Sequence, residues 1–240
     1  MKFHFSGIIR LKENKIGFKK PLFFTSPINK INTKVEIRAN DDLVVGMEIE
    51  AENFERAQKM AELELARVSS LLSWFENIGI EKYWITGHSI PNDKGGYTVI
   101  SKLTISRSID DKKTLNIKSV KELEKNMNVD HANDVSDILL MWTEALTQNS
   151  TGMRFFLFYR ILEKLIDPNN SMQSTTKTDT WLKSNYPKLP LEGKRSILTF
   201  LRDNIHAKSP NFPFEKIDQY INNLQEIARK AIEDKVVEKL

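Results

Sequence analysis

The sequence contains no cysteine among its 240 residues. This absence excludes disulfide bonds, thiolate zinc sites and cysteine nucleophiles, and it is typical of proteins from a reducing compartment. Long apolar runs are also lacking, since none is longer than the five residues of Phe155–Tyr159, far below the ~20 residues of a membrane span. The first residues contain no apolar core of a signal peptide. We therefore expect a folded protein of the cytoplasm with no membrane segment.

The common catalytic signatures are absent as well. The nine glycines are scattered, and no GxxxxGK[ST], GxGxxG, HExxH or GxSxG string occurs. The four histidines, His4, His88, His131 and His206, are too far apart for a metal-ligand spacing. We expect neither a metal nor another cofactor, although the fold could still bring a histidine together with acidic residues.

The charge balance is mildly basic. Lys and Arg number 36 against 32 Asp and Glu, which gives a net charge of +4, and 40% of the residues are hydrophobic. This composition is that of a folded globular protein. The positive excess permits an anionic partner but is far below that of a dedicated nucleic-acid coat.

The first part of the chain has the pattern of an α+β domain. Alternating apolar residues predict strands at Lys2–Leu11, Val35–Ala39 and Val45–Ala51. The period then changes to three and four, which predicts one long helix that Asn53 caps and that ends near Gly79. Alternation returns at 82–90 and 97–105 on either side of a turn, which indicates a hairpin.

The second part is predicted to be an all-α helical bundle. The polar segment 107–118 has weak periodicity, so we divide the chain into domains 1–112 and 113–240. The segment between 167 and 193 looks irregular. Helical periodicity predicts helices at Val120–Met127, Asp134–Thr147, Ser150–Ile166, Lys194–Ala207 and Phe214–Lys239.

One short string has residue types suited to phosphodiester chemistry: Arg202, Asp203, Asn204, Ile205 and His206. Positions i and i+4 of a helix share a face, so Arg202 and His206 can point into one cleft. A permanently charged guanidinium beside an imidazole that titrates near pH ~6.5 can bind a phosphate and move a proton. The alternative is a surface arginine and a helix-end histidine near the carbonyl dipoles.

Two elements of the second part resemble the HEPN superfamily, especially its Apea-like and related bacterial and archaeal branches. The first is the helix RFFLFYRILEKL, which includes Arg154, Tyr159, Arg160 and Glu163. The second is the RDNIH string before the final helix. The resemblance covers 134–240. Three residues separate the arginine from the histidine, one fewer than is usual in the family.

The resemblance implies a metal-independent endoribonuclease that acts as a homodimer, in defence or toxin–antitoxin biology. RNA would be cleaved by attack of the 2′-hydroxyl, leaving a 2′,3′-cyclic phosphate. His206 would be the general acid/base and Arg202 would stabilise charge on the phosphate. Asp203 or Asn204 would orient His206 or the phosphate. Glu163 either holds Arg202 or is a charge on the helix surface.

Other functions remain open from the sequence alone. The same helical domain could be a non-catalytic module that binds RNA, a nucleotide or a protein partner. It could also be only a dimerisation device for a ligand-binding N-terminal domain. In the nuclease interpretation, the domain at 1–112 would instead sense or select a target. There, Trp84 and Tyr97 could stack on bases, although aromatic residues on strands more often belong to a core. We expect Arg202 and His206 to line a groove, so that replacing either leaves the protein folded.

Overall fold

The computed structural model describes residues 1–12, 14–17, 21–26, 30–37, 42–91, 96–101, 113–116, 133–169, 173–206 and 214–236. Their contacts divide the chain into two compact units, Met1–Leu139 and Leu140–Leu240. The predicted boundary after residue 112 and the predicted helix at Val120–Met127 lie outside the described residues, so both stay predictions.

The first unit is built on a six-stranded antiparallel sheet. Its strand order is β3-β4-β5-β1-β6-β7, and a separate parallel pair joins β2 and β8. The strands are β1 Lys2–Leu11, β2 Asn14–Gly17, β3 Leu22–Thr25, β4 Asn32–Ile37, β5 Leu43–Glu50, β6 Ile80–Pro91, β7 Tyr97–Ser101 and β8 Lys113–Asn116. The sheet and the helices of the chain confirm the α+β class, and β6 and β7 pair as the predicted hairpin.

One long helix, α1 (Phe54–Glu76), packs on this sheet. As predicted, Asn53 caps its start, because the Asn53 side chain accepts a hydrogen bond from the backbone of Arg56. The helix ends at Glu76, three residues before the Gly79 near which its end was predicted, and its C-cap Asn77 lies in the left-handed region at φ 52°. Asparagine tolerates that conformation better than most residues. Gly7 of β1 lies so close to α1 that an added Cβ would be 2.8 Å from a methyl carbon of Leu65.

The second unit is helical except for one small hairpin. Its helices are α2 Asn133–Thr147, which begins in the first unit, α3 Thr151–Ile166, α4 Ser174–Asn185, α5 Ile197–His206 and α6 Phe214–Val236. The hairpin pairs β9 (Leu191–Glu192) with β10 (Arg195–Ser196) and turns at Gly193, whose φ is +63°. The prediction of an all-α bundle omitted this hairpin.

Helix α3 lies at the centre of the second unit. It contacts α4, α5 and α6, and Trp142 of α2 packs on Phe158 with ring centroids 5.0 Å apart. Five of its apolar side chains are fully buried: Phe155, Phe158, Tyr159, Ile161 and Leu162. This arrangement follows from a helix that is apolar on nearly every side.

Helix α4 was not predicted, and its buried face explains why. The buried residues are Ser174, Thr178, Asp179 and Leu182, so only one of the four is apolar. Sequence periodicity detects apolar stripes, and this helix instead buries hydroxyl and carboxyl groups. The segment predicted to be irregular therefore contains a helix.

Candidate functional site

The centre of the candidate site is the buried carboxylate of Glu163 on α3, whose side chain is 1% exposed. One oxygen, Oε1, accepts from Nη2 of Arg202 at 2.9 Å and from Oγ1 of Thr175 at 2.7 Å. The other oxygen accepts from Nη1 of Arg160 at 2.7 Å. These donors belong to α5, α4 and α3, so the carboxylate joins three helices. Of the two roles considered for Glu163, the one that holds Arg202 matches the structure, and a place on the helix surface is wrong.

The Arg202 guanidinium is largely enclosed. Its side chain is 15% exposed, its Nη1 donates to Oδ1 of Asp203 at 3.1 Å, and its Nε has no hydrogen-bond partner among the described residues. Its guanidinium carbon lies 5.9 Å from the ring centre of Tyr159, a distance at which a cation–π attraction acts. Arg202 therefore belongs to the packed interior as well as to the edge of the site, contrary to the expectation of an open groove position.

The remaining oxygen of Asp203 pairs with Arg195 of β10, whose side chain is 56% exposed. The ion pairs consequently form a chain of alternating charge through Arg160, Glu163, Arg202, Asp203 and Arg195. Three guanidiniums share two carboxylates. The cluster thus carries one net positive charge, and its two outer members are the more exposed ones.

The other two predicted site residues are placed differently. The amide nitrogen of Asn204 donates to the carbonyl oxygen of Phe200, one turn earlier on α5, at 2.8 Å. That hydrogen bond occupies the amide within its own helix. His206 is the last residue of α5, and its side chain lies outside the described part of the structure. The structure therefore brings Arg202 and Asp203 together, does not bring Asn204 to them, and leaves the place of the His206 side chain a prediction.

A second polar network fixes the start of α5. Oδ1 of Asp179 accepts from both the backbone nitrogen and the hydroxyl of Ser196 at 2.8 Å, and Oδ2 pairs with Lys183 at 2.8 Å. The Thr199 hydroxyl bridges the Ser196 hydroxyl, at 2.9 Å, and the Tyr159 hydroxyl, at 2.8 Å. This network connects α4 and α5 to α3 through groups other than those of the arginine cluster.

The pKa values of two groups in this network are shifted in opposite directions. Burial alone would raise the pKa of Asp179, but the hydrogen bonds from Lys183, Ser196 and Thr199 outweigh burial and hold that pKa below its usual value. Burial raises the pKa of Tyr159 well above its usual value. Asp179 is therefore a charged acceptor at neutral pH, and Tyr159 keeps its proton. Sequence reasoning missed this network, because Asp179 lies on the helix that periodicity did not detect.

The aromatic candidates of the first unit have other partners. The guanidinium carbon of Arg10 lies 5.3 Å and the ammonium nitrogen of Lys82 lies 5.1 Å from the ring centre of Trp84. Asp42 holds Arg10 through two hydrogen bonds of 3.0 and 2.8 Å. The Tyr97 side chain lies outside the described residues. Trp84 thus already packs against two cations of its own domain.

Two kinds of feature are absent from the described part of the chain. No group of three or more His, Asp and Glu side chains there could hold a metal ion. In the same residues, no helix combines the length and the apolarity that crossing a membrane requires.

Comparison with known proteins identifies no relative. No family model, no curated protein and no solved structure matches the chain.

Proposed function

We propose that the second unit is an HEPN-type, metal-independent endoribonuclease that acts in the cytoplasm as a homodimer, in defence or toxin–antitoxin biology. The observation that carries the proposal is the 2.9 Å ion pair between Glu163 and Arg202. It joins the two sequence elements on which the resemblance rests. A buried carboxylate that fixes a guanidinium is also a means of preorganising positive charge for a transition state.

The proposed reaction needs two proton transfers and one charge stabiliser. The 2′-oxygen of the RNA attacks the adjacent phosphorus and loses its proton to a base, while the bond from phosphorus to the 5′-oxygen breaks and that oxygen gains a proton. His206 and its copy in the second protomer are the groups proposed to move these protons. Arg202 is proposed to stabilise the negative charge on the non-bridging phosphate oxygens.

Asp203 is better suited to a positioning role than to proton transfer. Its carboxylate lies between Arg202 and Arg195, so it fixes the outer side of the Arg202 guanidinium. Asn204 has no comparable position, because its amide is bonded to the backbone of α5. We therefore retain Asp203 in the proposed site and assign Asn204 to the stability of the helix.

One observation favours a second candidate function, a non-catalytic module that binds RNA or a protein partner. Arg202 already pairs with two carboxylates and is 15% exposed, so little of its charge is available to a reacting phosphate. The exposed Arg195 and the partly exposed Arg160 would then be the residues that meet an anionic partner. This candidate predicts binding without cleavage.

The test is cleavage of a labelled single-stranded RNA by the full chain and by His206→Ala. The nuclease proposal predicts that the variant is slower by about 10²- to 10⁴-fold, the range expected for loss of a general acid/base. The matched control is His4→Ala, since His4 lies on β1 of the first unit and is 42% exposed. Equal cleavage rates for His206→Ala and the intact chain would contradict the proposal.

Arg202 needs a gentler substitution than alanine. Arg202→Lys keeps the positive charge but cannot donate in the fixed fork geometry of a guanidinium. We expect this variant to stay folded and to cleave at least ten-fold more slowly. Arg229→Lys is the control, because Arg229 of α6 pairs with Glu233 in an exposed pair of the same unit.

A further inference from the structure

A groove in the second unit lies outside the arginine cluster. It is lined by the end of α4, by the loop 186–190 that connects α4 to β9, and by α6, and it has a volume of about 510 Å³. Such a volume lies within the ~300–1,000 Å³ typical of small-molecule sites. Among its lining residues, Ile227 is buried, Tyr186 is partly buried, and Lys188 and Lys230 are exposed.

The aromatic ring of the groove is held in place by its surroundings. The ring of Tyr186 packs against that of Trp181 at a centroid distance of 5.7 Å and an interplanar angle of 62°. Its backbone carbonyl accepts from Leu189 at 3.0 Å, and Pro187 follows it in the chain. Burial and the negative charge of Asp234 raise the pKa of Tyr186. The ring is therefore neutral at pH 7 and preorganised as a stacking surface.

The polar groups of the groove have the character of an anion site. Within the described part of the chain, neither Lys188 nor Lys230 forms an ion pair or a hydrogen bond, and the Tyr186 hydroxyl also has no hydrogen-bond partner. Glu226 is the one carboxylate among the lining residues, which include two lysines, and the carboxylate of Asp234 lies outside the lining but close enough to act on Tyr186. An aromatic ring and two lysines that line one groove match the chemistry of a base joined to phosphates.

We propose that this groove binds a nucleotide of single-stranded RNA, with the base stacked on Tyr186 and the flanking phosphates at Lys188 and Lys230. This inference rests on the proposed function in that RNA is the ligand, but it assigns a site that the cleavage mechanism does not use. The loop is tied to the helix of the candidate site, since the carbonyl of Pro190 accepts from the backbone of Ile197, the first residue of α5, at 2.8 Å. An RNA strand in the groove is thus bound on the same unit as Arg202.

The test measures RNA affinity with a fluorescently labelled oligonucleotide, in the full chain carrying His206→Ala so that cleavage does not interfere. Lys188→Ala and Lys230→Ala should each weaken binding and reduce the slope of log K against log salt concentration by about 0.7, the value for one phosphate contact of a single strand. Lys59→Ala is the control, because Lys59 of α1 is a 73% exposed lysine of the other unit.

The stacking role is tested at Tyr186. Tyr186→Ala should weaken RNA binding by roughly 5- to 150-fold, as expected for the loss of one stacked base, whereas Tyr186→Phe keeps the ring and should bind within about two-fold of the parent. Thermal unfolding of both variants shows whether the loop survives. If Tyr186→Ala unfolds the unit, the two lysine variants, which change exposed side chains, decide the result.

The source of the nucleotide is distinguished by competition with adenosine monophosphate. Displacement of the RNA at millimolar concentration indicates recognition of an isolated nucleotide, and no displacement indicates recognition of a strand; both support the groove. Unchanged RNA affinity in Lys188→Ala, Lys230→Ala and Tyr186→Ala would overturn the proposed binding site. So would a polyglutamate peptide that binds as tightly as RNA and is insensitive to Tyr186→Ala, since that identifies an acidic protein partner.

The groove and the nuclease proposal fail in different ways. In one case, RNA binding depends on Lys188, Lys230 and Tyr186 but the intact chain does not cleave RNA. This result supports the groove and contradicts the nuclease proposal. In the other case, cleavage depends on His206 but the groove variants bind RNA with unchanged affinity. This result supports the nuclease proposal and contradicts the groove.

Discussion

Glu163 is the residue on which the geometry of the candidate site depends. A carboxylate that is 1% exposed is costly to desolvate, and two guanidiniums and one hydroxyl offset that cost here. The consequence is that Arg202 has a structural role in addition to its proposed role in chemistry. The protein was expected to stay folded when Arg202 is replaced because the side chain would line a groove, but the buried ion pair predicts a loss of stability.

Arg202→Ala should lower the free energy of unfolding by roughly 2–4 kcal/mol. This is somewhat less than the ~3–5 kcal/mol for removing one partner of a buried ion pair, because Arg160 and Thr175 still bond to Glu163. Urea unfolding at neutral pH measures this loss of unfolding free energy. Arg229→Ala, which breaks an exposed pair, should cost ~0–1 kcal/mol. Equal losses for the two variants would show that Arg202 is not part of a buried network.

At this scale the sequence indicated part of the site. Arg202, Asp203 and Glu163 stood in two strings with the right residue types and a family resemblance, and the structure brings these three together. The positions of Thr175, Asp179 and Ser196 had no signal, because hydroxyl and acidic residues in a polar segment look the same whether they are buried or exposed. Which donors reach a buried carboxylate is decided by tertiary packing.

Among the elements, α4 shows most clearly how a polar segment becomes ordered. Its first turn places Thr175 against Glu163, and about one turn later Asp179 accepts from Ser196 at the start of α5. The helix is thus held by hydrogen bonds more than by apolar contacts. The strands and the long helices, in contrast, were predicted because each buries a periodic apolar face, as α1 does with Ala57, Ala61 and Leu65.

The Asp179 network should make stability depend on acid pH. The pKa of Asp179 is lowered in the folded state, so its contribution is fully present above the unfolded value of ~3.9 and is lost as pH falls through the folded value. The intact chain should exceed Asp179→Asn in unfolding free energy at pH 7, and the difference should shrink below about pH 4. Chemical denaturation at a series of pH values measures this.

The control for this series is Asp218→Asn, because Asp218 is an exposed residue of α6. The difference between this variant and the intact chain should stay small at every pH. A difference for Asp179→Asn that stays constant from pH 7 to pH 2 would contradict the assignment of a charged, hydrogen-bonded Asp179.

For the whole molecule, the proposal requires two copies of the chain, since residues of both protomers are proposed to form one groove. The second unit exposes Leu140, Met153 and Leu191 to about half or more of their area, and this apolar surface is available to a second copy. Light scattering at tens of micromolar should give twice the chain mass of 27.8 kDa. A mass of one chain at that concentration would contradict an active site formed by residues of two protomers.

The central claim, metal-independent RNA cleavage by the second unit, is tested most directly by the chemistry of the product ends. RNA is incubated with the purified full chain in excess EDTA, and the ends are identified by mass spectrometry beside a reaction with His206→Ala. The account predicts 2′,3′-cyclic phosphate and 5′-hydroxyl ends from the intact chain, and their loss in the variant. Intact RNA in both reactions, or ends with a 5′-phosphate, would contradict it.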